Sequence, residues 1–100
     1  MYIKTGYVYI IKCCDKSYYT DVSNDPDRRF VEHQKGIGSK YTKSRRPLEL
    51  VWVSEEMDIM SAIENEKKIK GWRRKKKEAI INGQWNRLPV LSKAYRDKKK

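Results

Sequence analysis

Cysteine is scarce in this chain, and the two present, Cys13 and Cys14, are adjacent. That spacing gives neither a CxxC pair nor a partner elsewhere, which excludes a thiolate zinc site and a disulfide framework. It fits a reducing cytoplasm, with one thiol on each face of a strand. No apolar run approaches the roughly 20 residues of a membrane-spanning helix, so no membrane partner is expected. The first residues lack the apolar centre of a signal peptide. Acidic residues are also outnumbered: 13 Asp and Glu stand against 24 Lys and Arg, for a net charge of +11. Such a surplus predicts a polyanionic partner, most simply nucleic acid.

What is present in quantity is aromatic. Three Trp, seven Tyr and one Phe each bury a large area, so a core is feasible in 100 residues although only 38% are hydrophobic. Residues 1–91 are expected to form one domain. Residues 92–100 read as a charged, disordered tail. There are no internal repeats.

Tyr7 to Cys13 reads as a strand, with β-branched Val8, Ile10 and Ile11 and alternating aromatics. Ser17 to Val22 reads as a second. A three-residue turn, Cys14 to Lys16, pairs Ile11 with Tyr19 and Tyr9 with Asp21 on one face, and places Lys16 at the left-handed position that glycine prefers. Asp25 caps a helix that Pro26 opens and Gly36 closes. It puts Arg29 and His33 one turn apart, with Phe30 and Val31 toward the core. Residues 36–47 form a basic loop in which Lys40, Lys43, Arg45 and Arg46 surround Tyr41, a composition suited to a phosphate backbone and a stacked base, or to a solvated loop. Leu48 to Val53 is a third strand. A helix then runs from an Asp58 cap to Gly71. Trp72 to Asn82 forms another, whose basic start includes Arg73 and Arg74. Trp85, Leu88, Val90 and Leu91 are expected to close the core.

One residue breaks its pattern. The apolar stripe Ile59, Ala62, Ile63, Ile69 carries Glu66 at its centre. A buried carboxylate needs a cation, so Glu66 is either paired with a lysine or a metal ligand. Glu64 lies off the stripe. Phenols, a guanidinium and an imidazole gathered between residues 7 and 33 point to phosphate chemistry.

In order, the marks are Tyr7-Val8-Tyr9, Tyr18-Tyr19-Thr20-Asp21, Arg29, His33, and Glu66 before Ile69-Lys70-Gly71-Trp72. This pattern resembles the GIY-YIG endonuclease superfamily, in particular small single-domain members similar to the N-terminal nuclease domain found in excinuclease ABC. The resemblance covers about residues 6–88. It implies an α+β fold: a small three-stranded antiparallel sheet flanked by helices. It implies a divalent-metal-dependent endonuclease acting on nucleic acid, DNA rather than RNA, with structure-directed cutting and a repair role. It places catalytic functions on Tyr9, Tyr19, Arg29 and His33, and Mg²⁺ (or Mn²⁺) on Glu66, with no small-molecule cofactor. Lys40, Tyr41, Lys43, Arg45, Arg46, Arg73 and Arg74 would contact nucleic acid. Oligomeric state is left open. Two motif glycines are replaced, by Tyr7 and Asp21. Asp21 would lie beside Tyr9 and Tyr19, where it would raise the phenol pKa values and either oppose substrate phosphate or join Glu66 as a ligand. A lost site, leaving a binding module without cleavage, is the alternative.

Overall fold

Strand β1, Thr5–Lys12, lies at the centre of the sheet, paired along both edges and covered on both faces. Val8, Tyr9, Ile10 and Ile11 are all fully buried. The computed structural model describes residues 4–83. Trp85, Leu88, Val90, Leu91, the boundary at residue 91 and the tail lie outside the described residues. Residues 1–70 form one unit and residues 71–100 a second.

In the first unit β2, Tyr18–Ser23, pairs antiparallel with β1. The register matches Ile11 with Tyr19 and Tyr9 with Asp21, as the three-residue turn requires. Lys16 takes φ 74 at its third position, and Asp15 bonds the Ser17 amide at 3.0 Å. Helix α1, Pro26–Gln34, opens with the Asp25 carboxylate accepting the Arg28 amide. It ends before Gly36 at φ 85. Val31 is exposed rather than part of the core.

The expected basic loop contains a short helix, α2, Lys40–Lys43. The Ser39 hydroxyl caps it by accepting the Thr42 amide at 3.2 Å. Strand β3, Glu49–Val53, pairs with the other edge of β1. A two-residue strand β4, Met57–Asp58, adds a fourth pairing at Thr5 and Gly6. It is too short to carry a hydrophobic pattern, which is why the sequence predicts only three strands. Helix α3, Ile59–Lys70, follows directly, with Asp58 accepting the Ser61 amide at 3.0 Å.

The two faces of the sheet have different cover. A β-carbon on Gly6 would lie 2.9 Å from Ile59 Cδ1, so the face of Gly6, Val8 and Ile10 receives α3. The opposite face holds Tyr9, Ile11, Cys13 and Leu48, with Tyr19, Phe30 and Leu50 against them. In the second unit α4 spans Arg74–Ile81. It starts two residues later than expected.

Candidate active site

Sheet pleat and helix period converge on one point. Tyr9 and Asp21 are register partners on β1 and β2, and Tyr19 lies two residues from Asp21 on the same face. Helix α1 brings Arg29 and His33 over that face from one turn apart. The Tyr9 hydroxyl lies 3.1 Å from His33 Nε2. Tyr19 donates to Asp21 Oδ2 at 2.9 Å, and its ring meets the imidazole edge-on at 5.3 Å. Tyr9, Tyr19, Arg29 and His33 are therefore brought together.

Charge and burial set their states. Burial first, then the Asp21 charge, drives the Tyr9 phenol well above its usual range, against the opposing pull of Arg29. Burial, the Asp21 hydrogen bond and the Asp21 charge push the Tyr19 phenol up to about 12. Both are protonated donors near neutral pH. Burial, helped by Arg29, pulls the His33 imidazole below its ordinary value, so it is neutral there. Arg29 is half-buried. It pairs with Glu32 at 2.8 Å and donates to the Gly38 carbonyl at 3.2 Å, and its charge acts on the Tyr9 phenol.

Three residues of this arrangement carried no signal in the sequence. Thr42 is fully buried, and its hydroxyl lies 2.8 Å from His33 Nδ1. Ser39 lies 3.0 Å from that hydroxyl. Gly38 passes so close that an added β-carbon would lie 2.4 Å from His33 Nδ1 and 2.6 Å from its Cγ. A Gly-Ser before a threonine is common loop chemistry. Only the approach of the loop to α1 gives it meaning.

Glu66 is 8% exposed, and Lys70 Nζ sits 2.7 Å from its Oε2. The lysine pairing foreseen as one alternative is the observed one. The Glu66 hydrogen bond, with a smaller push from the Asp21 charge, holds the Lys70 ammonium above its ordinary range. Among the described residues no three His, Cys, Asp or Glu gather in a cage. Mg²⁺ is commonly held by one or two carboxylates, waters and substrate phosphates, and Glu66 offers a hard oxygen already facing a positive charge.

The basic residues divide. Arg45 binds Asp15 Oδ2 at 3.0 Å and the Tyr41 carbonyl at 2.9 Å. Arg46 donates to the Lys43 carbonyl at 3.0 Å and the Gln34 carbonyl at 3.1 Å, tying the ends of α1 and α2. Tyr41 is 37% exposed, with the Tyr19 ring 5.8 Å away and the Arg45 guanidinium 3.8 Å from its ring centroid. Lys40 and Lys43 are exposed. Arg73 and Arg74 belong to the second unit, where Arg74 pairs with Glu78 at 3.0 Å.

The GIY-YIG catalytic domain family matches residues 5–79. The chain belongs to the GIY-YIG family. That membership sets it among nucleases, which act on nucleic acid and generally use divalent metals. A UPF0213 protein of Staphylococcus saprophyticus is 44% identical over 77 residues, 76% of this chain and 93% of that protein. One from Natronomonas pharaonis is 39% identical over 75 residues, covering 75% and 88%. The solution NMR structure of a UPF0213 protein from Bacillus halodurans is 37% identical, covers 78% of this chain and 83% of that one, and superposes with a TM-score of 0.45. No helix among the described residues of this GIY-YIG chain is long and apolar enough to cross a membrane.

Proposed function

We propose that this chain is an endonuclease that hydrolyses phosphodiester bonds in DNA, using Mg²⁺ or Mn²⁺ held at Glu66. The observation that carries the reading is the meeting of two phenols, an arginine and a neutral imidazole on one sheet face. Hydrolysis of a phosphodiester needs those parts: a cation for the phosphate, a proton acceptor for water, and donors for the developing charge.

In this reading Arg29 exchanges Glu32 for the substrate phosphate and brings it to the tyrosines. Tyr9 is sealed from solvent in the free protein, so it takes part only when phosphate has drawn Arg29 aside. Water then gives a proton to the Tyr9 oxygen while Tyr9 passes its own to His33 Nε2. Tyr19, held protonated, donates to a phosphate oxygen. A divalent cation bound at Glu66 supplies Lewis-acid polarisation and charge neutralisation, and Lys70 yields its place on that carboxylate. Lys40 and Lys43 lead the backbone in, and Arg73 and Arg74 of the second unit also contact nucleic acid. With no further recognition element among the described residues, cutting follows the structure of the DNA, which suits a repair role in a reducing cytoplasm.

A second reading has its own support. Asp21 accepts the Tyr19 hydroxyl, and in this reading its carboxylate opposes substrate phosphate. A binding module without cleavage would look the same. A cleavage assay on branched and single-stranded DNA, with Mg²⁺, Mn²⁺ or chelator, separates the two. Metal-dependent nicking by wild type, lost in Glu66→Ala, is expected. Cutting by Asp21→Gly alone means the carboxylate blocks the site. Binding without cutting by wild type, Glu66→Ala and Asp21→Gly overturns the nuclease reading.

A further inference from the structure

Glu66 is the one ionisable side chain on the apolar stripe of α3. On a helix, the residues three and four positions away share a face with it. For Glu66 they are Ala62, Ile63, Ile69 and Lys70, so within α3 only Lys70 can bring a charge to the carboxylate. It does so: Lys70 Nζ lies 2.7 Å from Glu66 Oε2. Glutamate four residues before lysine is also the favoured order for such a pair. Lys67 and Lys68 belong to the same last turn. They stand one and two positions on from Glu66, off its face, and are exposed.

The two partners are unequal. Glu66 is 8% exposed, whereas Lys70, the last residue of α3, has a side chain 59% exposed. A carboxylate so enclosed needs a cation beside it. The lysine does not need that carboxylate, because water can solvate its ammonium. The pair is therefore built to part from the lysine side. A divalent cation on Glu66 would satisfy the carboxylate and repel the ammonium, and an enclosed carboxylate leaves little room for both.

We infer that Lys70 is a built-in competitor for the metal seat at Glu66: it holds the carboxylate in the free protein, and a divalent cation must displace it to bind. This role rests on the reading of Glu66 as the metal ligand. It adds to that reading a resting state in which the seat is filled by the protein's own charge. A seat that is available for only a fraction of the time binds with an affinity reduced by that fraction. The free protein is thereby kept metal-poor.

The test is a Mn²⁺ titration of the full-length protein without DNA, read from the EPR signal of the free ion, beside thermal melts in chelator and in saturating Mn²⁺. Lys70→Met should bind Mn²⁺ about 3- to 10-fold more tightly than wild type. Lys68→Met makes the same charge change off the Glu66 face and should keep the wild-type affinity. Lys70→Arg keeps a cation on the carboxylate and should not tighten binding. In chelator Lys70→Met should melt below wild type, because Glu66 is left unpaired, and Mn²⁺ should close that gap. Glu66→Ala should abolish the binding. Equal affinities in wild type and Lys70→Met, both lost in Glu66→Ala, overturn the competitor role and leave Glu66 as the ligand. Equal tightening in Lys68→Met and Lys70→Met reduces the effect to net charge and also overturns it. Binding that survives Glu66→Ala, or none by wild type and Lys70→Met, removes the metal from Glu66 and overturns the underlying reading. Should Lys70→Met fail to fold, Lys70→Gln supplies the same comparison.

Discussion

Gly38→Ala is the sharpest perturbation the site offers. The added β-carbon would lie 2.4, 2.6 and 2.7 Å from His33 Nδ1, Cγ and Cε1, each inside contact distance. The Gly38 backbone is outside the left-handed region. Without the clash, alanine would stabilise by about 0.4–1 kcal/mol through the unfolded chain. The clash reverses that sign. The imidazole is fully buried and bonded at both nitrogens, so it cannot swing out cheaply. Overpacking costs about 1–3 kcal/mol, and each hydrogen bond strained adds about 1 kcal/mol. A loss of about 2–4 kcal/mol follows; the lower figure alone drops Tm by about 8–16 °C in a domain of this size. Thermal and urea melts of Gly38→Ala, His33→Ala and the double variant measure it. In the His33→Ala background, alanine at 38 should cost under about 0.5 kcal/mol, giving a coupling of about 1.5 kcal/mol or more. A loss below about 0.5 kcal/mol in Gly38→Ala, or equal losses in both backgrounds, would refute the close-approach account.

Three further outcomes are expected. Asp21→Ala removes the second and third causes of the Tyr19 shift but not burial, so the phenol should titrate between 10 and about 12 by ¹³C NMR; an unmoved midpoint shows that Asp21 does not act on it. Thr20 Oγ1 is buried without a hydrogen-bond partner, so Thr20→Val should be neutral or gain up to about 1 kcal/mol in denaturant melts, and a loss above that shows a satisfied hydroxyl. Lys40→Ala and Lys43→Ala should each lower the salt slope of DNA binding by about one without moving Tm, whereas Arg46→Ala should lower Tm and leave the slope alone; the reverse pattern would place Arg46 on the phosphates.

Much of the frame was legible because local chemistry dictates it. The Asp25 cap, Pro26 and Gly36 bound α1 by rules that involve only neighbouring residues. The three-residue turn fixed the β1–β2 register, and through the pleat it put Tyr9, Tyr19 and Asp21 on one face. Glu66 stood out because a stripe position demands burial, and it is buried. Val31 misled because an apolar residue on a helix is equally at home in water when its face turns outward. The strand β4 was invisible because two residues carry no period.

The basic residues show the other limit. Sequence gives their charge but not their partners, and Arg45 and Arg46 proved to be bound by Asp15 and by backbone carbonyls. The sequence by itself determined the elements, the order of the site residues and the sign of the surface, since these follow from spacing, capping and composition. Only the tertiary structure decided that Gly38 presses on His33, that Thr42 and Ser39 stand behind it, and that Asp21 accepts the Tyr19 hydrogen bond. Those are contacts between side chains that different segments carry, and no periodicity encodes the distance at which two separate segments meet.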